Sequence, residues 1–168
     1  DKNRDAIKNE VIEHKKNRTL TIGENIVLIF EDTLTIKYQV QEMLRIEKIF
    51  TENEIQEEID AYNPLIPDGN NFKATMLIMF PDVEERKKML FKLHDIENKV
   101  WISFKGKKIF AHADEDLDRS TDDKTSAVHF LRFQFNQIQI TDFLSCQDIE
   151  VGLDHPEYYK KVKLNSYI

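Results

Sequence analysis

Several places in the chain combine residue types and spacings that can do chemistry. Tyr38, Glu42 and Arg45 recur at four- and three-residue intervals, so a helix would put them on one face. Such a wall offers a carboxylate for a metal or proton and an arginine for an anion. A solvated face with one ion pair, contributing about 0.3–0.5 kcal/mol, explains the pattern equally simply. Glu47 falls between Ile36 and Val40 on the apolar side of the same helix. Buried there, it needs a cation, backbone N–H groups or a polar cavity; a slightly rotated helix would leave it at the rim. His129 shares a strand face with Leu131, Phe133 and Phe135 and is expected to point inward. It is either a core imidazole with a satisfied nitrogen, or a metal ligand or general base. His112 and Asp114, two apart on one strand face, form an orienting pair or two ligands.

Asp114-Glu115-Asp116-Leu117-Asp118 resembles the start of a calcium loop, but the positions that need Gly and Glu hold Arg119 and Thr125. A solvated acidic loop remains. Arg119, Lys124 and Ser126 could ring an anion, though no Gly-rich cradle precedes a helix there. The basic run His14-Lys15-Lys16-Asn17-Arg18 is explained by the negative end of a helix dipole. Cys146 has no His or Lys nearby in sequence to activate it. If the polar positions converge, a pocket of Glu42, Glu47, Glu115, His112 and His129 would suit Fe, Mn or Zn, with Arg45 and Arg132 holding an anionic ligand.

The elements that must position these residues follow from periodicity. Residues 1–16 read as an amphipathic helix with Ile7, Val11 and Ile12 on its stripe. Thr19–Phe30 reads as a hairpin turning at Gly23-Glu24-Asn25, its second strand an unbroken apolar run. Asp32 or Thr33 caps a helix to about Phe50, and Thr51 with Glu54 forms a capping box for the next. That helix ends at Asn63-Pro64, and Asn63–Asn71 is a shaped Pro/Gly loop. Phe72–Phe80 alternates as a strand, Pro81-Asp82 opens a helix to about His94, and Val100–Ala113 is a second hairpin around Lys105-Gly106. Thr125–Phe135 is a strand, Ile138–Leu144 a short helix, Ile149–Leu153 a last strand, and Pro156 opens a terminal helical turn.

The order mixes helices and hairpins without strict βαβ alternation. This predicts an α+β fold, a mostly antiparallel mixed sheet with helices packed on it, as a single domain over 1–168. Only 4 Gly and 4 Pro argue against an all-β sandwich of many short strands. One Cys excludes an intramolecular disulfide and a thiolate cluster built from this chain alone, and suits a reducing cytoplasm. A net charge of −7 argues against nucleic acid, and no apolar run reaches the about 18 residues of a membrane span. No signal-peptide pattern opens the chain.

Three strings resemble a bacterial family of uncharacterised proteins, catalogued as domain of unknown function 3501: Tyr38–Glu47, Tyr62–Gly69 and Lys124–Phe133. His14–Arg18, Phe30-Glu31-Asp32, Ala113–Asp116 and Asp154-His155-Pro156 fit as well. The resemblance implies a redox or peroxide-stress partner, a rubrerythrin-like or iron–sulfur protein. It brings no activity, but its strings coincide with Glu42, Arg45, Glu47, Asn63, Asp114, Glu115, His129 and Arg132. The expectation is an accessory or protein-binding module in the cytoplasm; the alternatives are a metal-binding enzyme or an anion binder using Arg45, Arg119 and Lys124. A homodimer, the commonest oligomer, is compatible with the sequence.

Overall fold

The computed structural model describes residues 3–164. In chain order the elements are α1 (Arg4–Lys16), β1 (Thr19–Ile22), β2 (Ile26–Phe30), α2 (Thr33–Glu47), α3 (Glu52–Tyr62), β3 (Asn71–Ile78), α4 (Val83–Lys92), β4 (Val100–Phe104), β5 (Lys107–Phe110), β6 (His112–Ala113), β7 (Val128–Gln134), α5 (Gln137–Ser145), β8 (Glu150–His155) and β9 (Tyr158–Lys163). Every strand pairing is antiparallel, in two sheets ordered β1-β2-β3-β7-β6 and β5-β4-β8-β9. The fold is α+β, as the mixed order of helices and hairpins implies. Among the described residues no helix is long and apolar enough to cross a membrane.

The alternation of β2, β3 and β7 decides where the core sits. Leu28, Phe30, Met76 and Phe133 turn one way and meet Ile102, Phe104 and Leu153 of the second sheet. The chain passes from one sheet to the other at Ala111, between β5 and β6. The opposite face of β2 and β3 carries Ile29, Glu31 and Thr75 and leads to the polar chemistry below.

α2 starts where Asp32 accepts from the Thr35 N–H (2.9 Å) and the Thr35 hydroxyl accepts from the Asp32 N–H (2.9 Å). It ends at Glu47, short of the expected Phe50, because Lys48 adopts a left-handed conformation (φ 58°). Glu47 therefore occupies an exposed last turn, not the apolar seam. At α3, Thr51 makes no side-chain cap to the backbone; its hydroxyl donates to the Glu54 carboxylate instead. Val83 is 50% exposed at the start of α4.

The chain after Pro156 is also corrected. Pro156 and Glu157 turn β8 back into β9 rather than opening a helical turn. The buried Tyr158 then donates its hydroxyl to the Ile22 carbonyl (2.7 Å) and accepts from the Glu24 and Asn25 N–H groups (3.1 Å each). That long-range tie between the sheets outweighs the local helical preference.

Candidate functional site

Glu31 follows the apolar strand β2 directly, and its N–H donates to the Lys73 carbonyl (2.8 Å), so it lies beside β3. Its side chain is buried at 4% exposure. Thr35, in the first turn of α2, donates to Oε2 (2.5 Å), and Thr75 of β3 donates to Oε1 (2.6 Å). Among the described residues no Lys, Arg or His forms an ion pair with it. A buried carboxylate held only by neutral hydroxyls is costly, and such groups concentrate at functional sites.

Glu31 stands where two cavities meet. One, about 380 Å³, is lined by His14, Arg18, Phe30, Phe72 and Phe143 together with Glu31 and Lys73. The other, about 440 Å³, is lined by Pro64, Leu65, Glu115, Phe130 and Arg132, again with Glu31 and Lys73. The aromatic wall of the first is built around Phe72, edge-on to Phe143 at 5.1 Å and to Phe30 at 6.0 Å. Lys73, half-buried between the cavities, donates to the Pro64 carbonyl of the shaped loop and makes no ion pair among the described residues.

Charges around the groove are otherwise matched. Asp32 accepts from the Arg18 guanidinium (2.8 Å) and contacts His14 Nε2 (2.7 Å). Burial pushes the Asp32 carboxyl up, but the Thr35 N–H, His14 and Arg18 outweigh it and hold it below the ordinary range. Arg132 donates twice to Glu115, Nε to Oε2 and Nη2 to Oε1, both at 2.7 Å, and holds that carboxyl low.

A second buried cluster sits behind β7. His129 is fully buried; its Nδ1 lies 2.5 Å from Asp114 Oδ2, and its Nε2 lies 2.7 Å from the Thr125 hydroxyl and 3.0 Å from the Ser126 carbonyl. Thr125 donates to Glu97 Oε2 (2.8 Å), Ser120 donates to Glu97 Oε1 (2.5 Å), and Arg119 donates to Asp114 Oδ1 (3.2 Å). Each ring nitrogen therefore faces an oxygen that can accept from it. Glu97, Asp114 and His129 offer ligand atoms within 4.8 Å of one another. The carboxylates flank opposite edges of the ring, however, so an ion could reach a ring nitrogen only by displacing these hydrogen bonds.

The expected site residues fall in three places. Tyr38, Glu42 and Arg45 line a separate cavity of about 290 Å³ on α2, where Arg4 donates to both Glu42 oxygens (2.9 and 2.8 Å) and Arg45 adds a third bond (3.1 Å). Asp114 and Arg119 join His129. Glu115 and Arg132 line the groove on the other face of β7, with His112 exposed opposite Arg132 in the sheet register. His112, Glu115 and His129 are thus divided between the two faces. Asn63 and Lys124 are exposed. Glu31, Lys73, Thr75 and Glu97 complete the buried polar sites. Only Glu31 had a signal, an acid ending an apolar strand within a family string.

The arginines pull Glu42 from its ordinary 4.5 down to about 2, Arg4 acting more strongly than Arg45. A carboxyl lowered on folding stabilises the protein above the unfolded value and loses that contribution as pH falls through the folded one. Thermal melting is expected to hold steady above about pH 5 and to drop between pH 4.5 and about 2. Glu42→Gln should melt lower than wild type at neutral pH and converge with it near pH 2. Parallel curves across this window would remove the Arg4–Glu42 contact as a cause.

These features define an antiparallel two-sheet α+β protein with a charged groove on one sheet face. The family model described as "Protein of unknown function (DUF3501)" matches residues 1–168, and the chain belongs to that family. A crystal structure of a novel protein of unknown function from Burkholderia pseudomallei K96243 is 43% identical, with a TM-score of 0.92 over 99% of this chain and 87% of that one. No curated protein matches the chain.

Proposed function

We propose that the protein is an accessory binding module that holds a small ligand in the groove at Glu31. The carrying observation is the Glu31 carboxylate, 4% exposed, held by two hydroxyls and lining both cavities. Each of its oxygens accepts one hydroxyl and retains a lone pair for a ligand donor. Leu65 and Phe130, which line the second cavity on the sheet face of Thr75, supply apolar area for the rest of such a molecule.

Amide chemical-shift mapping with a fragment library tests this. Hits are expected to move the signals of residues 30–32, 72–74 and 130–132 in wild type and to lose affinity in Glu31→Gln. Hits that cluster elsewhere, or a library without hits, would overturn it. In the ligand-free protein the same substitution is expected to raise unfolding free energy by about 1–2 kcal/mol, because the isostere still bonds both hydroxyls without burying a charge. A clear loss in urea unfolding would instead make Glu31 a structural residue.

A further inference from the structure

Glu31 and Lys73 carry opposite charges, line the same two cavities, and are not an ion pair. Each is held by a neutral partner. Thr35 and Thr75 hydroxyls hold the carboxylate, and the Pro64 carbonyl holds the ammonium. The backbone adds to this separation. The Glu31 N–H bonds the Lys73 carbonyl, which makes the residues neighbours across two strands, yet their side chains are anchored toward α2 and toward the Pro64 loop. Opposite charges kept apart at the junction of two cavities are arranged to meet a third party.

Resting on the groove reading above, we infer that the ligand is a zwitterion: an ammonium directed to Glu31, a carboxylate directed to Lys73, and an apolar group against Leu65 and Phe130, which line the cavity on the same sheet face. A simple anion would face the uncompensated Glu31, and a simple cation would face Lys73. The other charged groups of the groove are already matched: Arg18 and His14 by Asp32, Arg132 by Glu115, and Asp116 by Arg119. Among the described residues that line the two cavities, Glu31 and Lys73 remain to select the charge of the ligand.

Four probes separate the parts of this inference: phenylalanine, 3-amino-3-phenylpropionate (one more carbon between the charges), phenethylamine (no carboxylate) and 3-phenylpropionate (no amine). Binding is followed by amide shifts at residues 31 and 73 in wild type, Glu31→Gln and Lys73→Met. At least one zwitterion is expected to bind about tenfold or more tighter than both truncated compounds. Glu31→Gln should weaken the amines and spare 3-phenylpropionate, and Lys73→Met should do the reverse. Truncated compounds that bind as well as the zwitterions would overturn the inference and leave the groove a general binding site. Silence from all four probes would overturn it too. The fragment library then separates the outcomes: hits in the groove keep the binding module without a zwitterion, and no hits remove both.

Discussion

His129→Leu is expected to lower unfolding free energy by about 3–5 kcal/mol, because it leaves Asp114 and Glu97 as buried carboxylates beside an apolar side chain. The ring is fully buried, with Nδ1 against Asp114 on one edge and Nε2 facing Thr125 and Ser126 on the other. It links β7 to the segment after β6 and to Glu97, which precedes β4, so its loss frees a charged loop as well as two acids. Urea unfolding of wild type, His129→Leu and the triple variant with Asp114→Asn and Glu97→Gln checks this. The triple variant should recover much of the loss, since neutral amides leave no buried charge unpaired. Asn also tolerates the left-handed backbone at residue 114 (φ 49°). A cost under about 1 kcal/mol for His129→Leu would mean that water reaches the acids.

Gly152→Ala is expected to cost about 1–3 kcal/mol by overpacking. A Cβ there would lie 2.5 Å from Trp101 Cζ2, 2.8 Å from the Lys160 carbonyl and 2.9 Å from Lys161 Cβ. Gly152 sits in the middle strand pairing of the second sheet, opposite both Trp101 and Lys161, so neither neighbour can withdraw without disturbing a ladder. The indole is further fixed by its N–H to Asp154 (2.8 Å) and by Lys108 over the ring at 4.1 Å. Trp101 is the sole tryptophan, so its fluorescence reports the displacement directly. An unchanged emission spectrum with unchanged stability would show that the ring yields freely.

Local patterns carried much of the architecture. The first hairpin, the alternating face of β3 and the cap at Asp32 are short-range features, each decided by residues a few positions apart. Two local expectations failed, one at a neighbouring backbone conformation and one at a distant contact. Glu47 left the apolar side because Lys48 ended α2 early, so the turn holding Glu47 does not continue against the core. The segment after Pro156 became β9 because Tyr158 bonds the turn of the first hairpin, far away in sequence. The candidate site was legible only in pieces. Arg45 pairs with Glu42 as spacing implied, and His129 points inward, but their other partners, Arg4 and Glu97, lie far from them in the chain.

By itself the sequence determined the α+β class, the family and most element boundaries, because those depend on periodicity, caps and turn residues that act over a few positions. The tertiary structure alone decided which polar residues meet. It split His112 and Glu115 from His129, since alternation along β7 sends residues 129 and 132 to opposite faces. It also brought Glu31, Thr35, Lys73 and Thr75 together through strand pairing and one helix start. Hydrogen bonds and Coulomb forces act across a few ångströms of space, and only the packed chain sets those distances.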